Sequence, residues 1–460
     1  MNTRLFAAVT SAKILKLLIK IYGGGATAAP GLLAEYIDKD SLGKLSRYFS
    51  RAVLVTGTNG KTTTSRLLAN IFKEAGTPFL HNREGSNLLR GIIGTYIDNI
   101  PSREGSNKIP LLEVDEPTLY TVINSVDPQA IIFNNLFRDQ LDRYGEVDKI
   151  RKIWQNSLIN LDSSTTLILN SDDHSISHLS NQTKAKVIYF GIEDGDLSIG
   201  KLPHASDFTS CINCNTELTY SEVYLSHLGK YRCVKCGLKR PKPDVFVKKV
   251  DFFEEKSFTA TFVTPEDVFK LKINLPGIYN VYNCLAAISA ALALGLAVSD
   301  IKKGLHNAKA VFGRTEQIEV DGKKLYIALV KNPSGFNEIL RVLLNNKKEK
   351  YVVLAINDLL ADGTDVSWLW DVDFETFYTK SQIKRLWVTG IRANDMALRL
   401  KYTSQTIKPT IIDNIQEAIE TAADEIPTGE TLYILPTYTA MLSIKKILAD
   451  RGISNRFWEE

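Results

Sequence analysis

Apolar residues recur along this chain in two rhythms, and their order sketches an architecture before any chemistry is considered. Short apolar runs at Ala52–Val55, Ile109–Val114, Ala130–Asn134, Thr166–Leu169 and Val187–Phe190 are mostly separated by helix-compatible stretches, the first from Lys61 to Ala75. Such alternation predicts a mostly parallel sheet covered by helices. Ser257–Val263 and Val268–Leu275 alternate apolar and polar positions instead, as antiparallel strands do, and Asn280 to Leu294 follows as an Ala/Leu-rich helix. A second strand–helix set begins after Gly313, with strands expected at Leu325–Val330, Tyr351–Ile356, Leu386–Thr389 and Leu432–Leu435. The expected fold class is therefore α/β, in two units dividing near residue 310.

At the N-terminus, Arg4 to Tyr22 reads as an amphipathic helix with Leu5, Leu15, Leu18 and Ile19 on one side and lysines on the other. It stops at Gly23-Gly24-Gly25. Two roles are open to it: packing on its own domain, or lying as a basic helix on an anionic membrane surface. Lys13, Lys16 and Lys20 break the apolar run that a signal peptide requires. No apolar run reaches the ~18 residues of a membrane span. A net charge of +4 on 460 residues gives no reason to invoke nucleic acid as a partner.

Chemistry enters at Gly57-Thr58-Asn59-Gly60-Lys61-Thr62-Thr63. A strand, a Gly-x-x-Gly-Lys-Thr turn and a helix together aim backbone N–H groups and a helix N-terminus at an anion. In that context Lys61 reaches the β- and γ-phosphates of ATP and the Thr62 hydroxyl can ligate Mg²⁺. A second motif is Cys211-x2-Cys214 and Cys233-x2-Cys236, with 18 residues between the pairs. Two such knuckles make a tetrahedral zinc site of four cysteines, and four thiolates leave no open position for water, so the expected role is structural. Tyr220, Tyr224, Tyr231 and Arg232, which lie between the pairs, are expected to pad a ribbon too small for a core, with contact to nucleic acid or a partner as the alternative. Cys284 falls in a helix expected to be buried. A third feature follows the Tyr351–Ile356 strand, where residues 358–373 hold five aspartates and two tryptophans. Loops at the C-terminal ends of parallel strands are where α/β proteins place ligand chemistry.

The wording Thr56–Thr64 resembles the ATP loop of the Mur ligases and folylpolyglutamate synthetases, which join an amine to a carboxylate through an acyl phosphate. The resemblance recurs down the chain. Leu111-Leu112-Glu113-Val114-Asp115-Glu116 is similar to the family's acidic strand end, which implies Mg²⁺ held by Glu113, with Glu116 the second choice. Asn134–Asp142 resembles the family's Asn…Asp-His-Leu-Asp segment, with Gln140 where a metal-binding His stands and Trp154 about where many members carry a carbamylated lysine. An amide is a poor substitute for imidazole on a metal, so a second Mg²⁺ bound in the usual way is not expected. Asn280 and Asn283 match asparagines that approach adenine. Gly313-Arg314-Thr315-Glu316 matches the family's hinge, which implies phosphate contact by Arg314. Where the family has Asp-Tyr-Ala-His-x-Pro, this chain has Ala328–Pro333, and Lys331 stands ready to take over a charge role.

The zinc motif, the altered metal segment and Asp362-Gly363-Thr364-Asp365-Val366-Ser367-Trp368 together resemble one branch of the family. Its members are ligase subunits that amidate lipid II in Gram-positive bacteria. The resemblance implies a helical leader over 1–50, a central ATP-binding domain over 51–310 with a zinc ribbon inserted at 205–243, and a Rossmann-like C-terminal domain over 311–460. It also implies a cytoplasmic enzyme, with a place at the inner face of the membrane left open, that amidates the D-isoglutamate α-carboxyl of lipid II with ammonia from a GatD-like class I glutamine amidotransferase. An aspartate of the 358–373 loop would complete that partner's catalytic set, Asp365 first, then Asp362, with Asp358 also a candidate. Two other readings stay open: a Mur-type ligase using an amino-acid acceptor, and a non-catalytic ATP- and zinc-binding scaffold.

Overall fold

The computed structural model describes residues 2–22, 28–82, 86–138, 147–203, 206–253, 256–308, 316–320, 322–344, 348–379, 383–403 and 408–452. Among the described residues, eleven strands lie before residue 309: β1 (Ala52–Thr56), β2 (Phe79–His81), β3 (Ile109–Glu113), β4 (Pro128–Phe133), β5 (Thr166–Asn170), β6 (Lys186–Ile192), β7 (Thr219–Leu225), β8 (Leu228–Arg232), β9 (Val245–Phe253), β10 (Ser257–Val263) and β11 (Val268–Ile273). Six follow: β12 (Glu316–Val320), β13 (Lys323–Ile327), β14 (Lys350–Ala355), β15 (Ile383–Thr389), β16 (Thr410–Ile411) and β17 (Thr431–Pro436). Among the described residues, nine form one sheet in the order β11-β10-β9-β6-β5-β4-β1-β3-β2, and six form another, β12-β13-β17-β14-β15-β16.

The first sheet is parallel from β2 to β9 and antiparallel from β9 to β11. The side-chain period of two explains why its central strands read as unbroken apolar runs. Val53 and Val55 enter the core on one face, while Ala52 and Leu54 enter the core on the other. In the second sheet Val352 and Leu354 pack on one side, and Tyr351, Val353 and Ala355 on the other. The strands the sequence pattern misses are short, at an edge or broken by charge. β9 is an example: its Lys248, Lys249 and Asp251 are exposed, which hides the strand behind a polar run.

Among the described residues, three helices, Thr3–Ile21, Ala29–Ile37 and Ser41–Ser46, precede β1. The first docks on the second and on Leu89–Asn99. Its docked face differs from the expected one. Leu5, Ala8, Val9 and Ala12 are buried, whereas Leu15 and Ile19 are half-buried and Leu18 is exposed. Two of the four docked residues, Ala8 and Ala12, are small enough to let the first helix approach its neighbours closely.

In chain order the β7–β8 hairpin is inserted between β6 and β9, which pair directly with each other. Tyr224, Leu225 and Leu228 join the main core beside Tyr282, and Cys211, Leu218, Tyr231 and Cys233 form a small cluster of their own. Tyr220 and Tyr231 therefore pad the ribbon, Tyr224 welds it to the large sheet, and Arg232, expected to pad it too, is exposed instead.

Candidate active site

β1 pairs with β3 on one side and β4 on the other. The C-terminal ends of these three strands deliver Gly57–Thr63, Glu113–Glu116 and Asn134–Arg138 to one crevice, where open α/β sheets bind ligands. The glycines of the loop are required by geometry. Gly57 has φ +131° and Gly60 φ +86°, and a Cβ on Gly60 would lie 2.1 Å from Asn283 Oδ1.

Lys61 opens the helix Lys61–Glu74. Its Nζ donates to the Gly57 carbonyl and to a Glu116 carboxylate oxygen, both at 2.7 Å, and stands 3.5 Å from Asp115. Burial works against this charge, but Glu116, Asp115 and Glu113 hold the ammonium above the ordinary lysine pKa. Burial also pushes the Glu116 carboxyl up to about 7, against the pull of Lys61. Beside this pair the Thr62 hydroxyl donates to Glu113 Oε1 at 3.0 Å, and Glu113 is fixed by its own N–H donating to Asn82 Oδ1 at 2.8 Å. A hydroxyl and a carboxylate oxygen meeting here are a hard donor pair that fits Mg²⁺.

Trp154 is fully buried, edge-on to Phe133, and its indole N–H donates to the Glu116 carbonyl at 3.0 Å. An indole in this place braces the acidic turn but offers no metal ligand. Gln140 and Arg314 lie outside the described residues.

The crevice continues into a cleft walled by both sheets' units. Asn59, Asn280 and Asn283 line it from one side, and Leu329, Lys331, Asn332 and Glu338 from the other. Asn280 Nδ2 donates to the Pro276 carbonyl at 2.7 Å, and its Oδ1 accepts from Asn283 Nδ2 at 3.0 Å. Asn283 Oδ1 in turn accepts from the Thr64 hydroxyl at 3.3 Å. The two amides thus form one buried chain behind the phosphate loop. Lys331 is half-buried and reaches the Thr58 carbonyl at 3.5 Å, so it stands over the loop rather than in open solvent.

Several residues that the sequence did not single out hold the two units together. Asn332 accepts from Gly335 N–H, capping the helix Pro333–Leu343, and donates from Nδ2 to Asn59 Oδ1 at 3.2 Å. Arg138 binds Asp207 and lies 3.2 Å from Asp371. Arg341 donates to the Tyr224 carbonyl at 2.9 Å. Asn332-Pro333, a cap residue followed by Pro at the first helical position, is the one local signal among these.

The acidic loop separates its aspartates. Asp362 is buried, accepting from the Thr439 N–H at 2.8 Å and from the Thr439 hydroxyl at 2.5 Å. Asp358 pairs with Arg392 at 3.1 Å. Asp365 is exposed and accepts from the Ser367 N–H nearby, at 2.8 Å. Trp368 packs against the core and Trp370 is half-exposed over Arg399.

The four thiols of Cys211, Cys214, Cys233 and Cys236 all lie within 4.8 Å of one another, with Cys211–Cys236 at 3.4 Å and Cys214–Cys233 at 3.5 Å. Four sulfurs ~2.3 Å from a central zinc need spacings of this order, so the set fits the ion. Cys284 is fully buried, and burial raises its thiol well above the ordinary value.

A phosphate loop, its acidic partner strand and a second α/β unit closing the cleft define an ATP-dependent ligase of the Mur type. The Mur ligase middle domain family matches residues 55–233, and the MurT ligase C-terminal family matches 329–441. The chain is 32% identical over 446 residues to subunit MurT of the lipid II isoglutaminyl synthase of Staphylococcus aureus, covering 95% of this chain and 96% of that one. It is likewise 32% identical to the same subunit of Streptococcus pneumoniae, over 98% and 99% of the two chains. Among solved structures, a pseudomurein peptide ligase type C from Methanothermus fervidus superposes with TM-score 0.68 at 22% identity, covering 90% of this chain and 81% of that one. MurF ligase from Thermotoga maritima, solved with ADP, gives 0.62 at 16% identity, covering 90% and 84%. The chain belongs to the MurT family of Mur-type ligase subunits.

Proposed function

We propose that this chain amidates the α-carboxyl of the D-isoglutamate residue in the lipid II stem peptide, at the inner face of the membrane. A carboxylate resists nucleophiles until one oxygen is made a leaving group. The carboxylate oxygen attacks the γ-phosphorus of ATP and ADP departs, giving an acyl phosphate. Ammonia then attacks the acyl carbon, phosphate leaves, and loss of a proton yields the amide. Lys61, with Arg314 and Lys331, offsets the negative charge of the transferring phosphoryl group. Thr62 and Glu113 would hold Mg²⁺, which when bound would supply further charge neutralisation for the transferring phosphoryl group. Asn280 and Asn283 shape the nucleotide end of the cleft, and the four clustered cysteines would hold a structural zinc.

The observation that carries this reading is the full-length similarity to subunits named for lipid II isoglutaminyl synthesis, joined to a complete activation set at Lys61, Thr62 and Glu113. An outside source of ammonia fits the five cysteines, which are four clustered thiols and the buried Cys284 and so offer no cysteine nucleophile for glutamine hydrolysis. The proposed source is a GatD-like class I glutamine amidotransferase, with Asp365 of the acidic loop presented to it. The test is an amidation assay with ATP, lipid II and either glutamine or ammonium, run with and without the co-purified partner. Turnover by the lone chain with ammonium, and with glutamine only when the partner is present, is the expected pattern; no amidation under any condition refutes it.

A further inference from the structure

The N-terminal helix is apolar on two sides, and only one of them is covered. Leu5, Ala8, Val9 and Ala12 face the fold. On the side facing away, Phe6, Ile14, Leu17 and Ile21 recur at spacings of eight, three and four, which a period of 3.6 places on one stripe. All four are exposed, Leu17 at 60% and Ile21 at 69%, and Leu18 and Tyr22 extend the patch. A stripe of this kind on a soluble surface marks an interaction site.

Charge selects the occupant. Arg4, Lys13, Lys16 and Lys20 are the only ionisable side chains of positive charge before Glu35, and no acidic residue precedes Glu35 at all. Lys16 turns inward to Asp98 at 2.5 Å, whereas Lys13 and Lys20 are exposed and border the stripe along one edge. The helix is too polar to cross a bilayer, and among the described residues none is long and apolar enough to do so. An apolar stripe edged by lysines, on a helix that carries no acidic residue of its own, is complementary to the headgroup–acyl boundary of an anionic membrane.

We propose that this helix lies in the plane of an anionic bilayer, seating Phe6, Ile14, Leu17 and Ile21 in the interface. The membrane would thereby be the docking partner that holds the ligase beside a lipid-anchored substrate. Its purpose rests on the lipid II reading, but the contact itself does not.

The test is flotation of the full-length chain with vesicles of phosphatidylcholine, with or without a third of phosphatidylglycerol. The wild type is expected to float with the anionic vesicles and to stay behind with the neutral ones. Leu17→Asp combined with Ile21→Asp should lower anionic-vesicle binding at least about tenfold. Lys13→Glu with Lys20→Glu should lower it severalfold, and the lysine effect should disappear at high salt. Ammonium-dependent ligation of a water-soluble stem-peptide substrate should be the same in both variants as in the wild type. Wild-type protein that never floats, or an Asp variant that floats as well as the wild type, overturns the proposal. So does a wild-type dimer that the Asp pair converts to monomer, which would make the stripe a self-interface. Vesicle binding without any ligation would sink the lipid II reading and leave this one standing.

Discussion

Arg138 and Asp371 face each other across the two units of the protein, with Nη2 3.2 Å from Oδ2. The same guanidinium binds Asp207 near the ribbon, and the residue before it, Phe137, donates its N–H to the Thr58 hydroxyl of the phosphate loop at 2.9 Å. Asp371 ends the short helix Ser367–Asp371 that follows the exposed Asp365. One ion pair therefore connects the phosphate loop's neighbour to the acidic loop. Arg138→Ala and Asp371→Ala are each expected to lower ammonium-dependent kcat about tenfold through looser closure; Asp371→Ala should change Tm little, whereas Arg138→Ala should also lower it, because the buried Asp207 carboxylate loses its partner. Kinetics of the two single variants and the double variant check this: the double should lose no more than either single.

Thr62→Ala and Glu113→Gln should each lower kcat on the order of 100-fold and raise the Mg²⁺ concentration needed for half-maximal rate. Lys61→Met should go further and leave Glu116 without its 2.7 Å partner. Steady-state rates across a Mg²⁺ titration measure both effects.

Asp362 and Asp365 should separate cleanly. Asp362→Asn disturbs two hydrogen bonds from Thr439, so about 2 kcal/mol of stability should be lost whatever else happens. Asp365→Asn should leave Tm unchanged and, if the loop serves the amidotransferase, abolish glutamine-dependent turnover while sparing ammonium-dependent turnover. Thermal melts and the two assays together decide it.

Cys233 is fully buried within the thiol cluster. Cys233→Ser should reduce bound zinc from one per chain towards none and lower Tm by several degrees, since binding energy at such a site is folding energy. Elemental analysis beside calorimetry is the measurement.

Acid should attack the seam beside the ribbon. His174 is fully buried, with the rings of Phe208, His227 and Tyr231 around it. Burial, with His227 and Arg151 adding to it and Asp173 opposing, lowers its pKa from 6.5 to about 4. The unfolded chain thus takes up the proton first. Stability contributed by the neutral ring is present above about 6.5 and is lost as pH falls towards about 4. His174→Gln should flatten the decline of unfolding free energy across that window.

The chain's own order determined much of this protein. The phosphate loop, the thiol pairs and most central strands depend on residues close in sequence: β1 and its following turn, Cys-x2-Cys knuckles, and unbroken apolar runs such as Val53–Val55. Their physics is local, so their pattern is legible. What the tertiary structure decided are pairings of residues far apart. Whether Glu113 or Glu116 sits against Thr62 depends on how β3 lies beside β1, and the answer is Glu113, while Glu116 pairs with Lys61. Asn332 reaches Asn59, 273 residues away, only because two sheets face each other over one cleft. The N-terminal helix shows the same division. Its helicity was written in its periodicity, but with apolar residues on both sides only the fold could choose Leu5, Ala8, Val9 and Ala12 as the buried face, where small side chains let the helices meet.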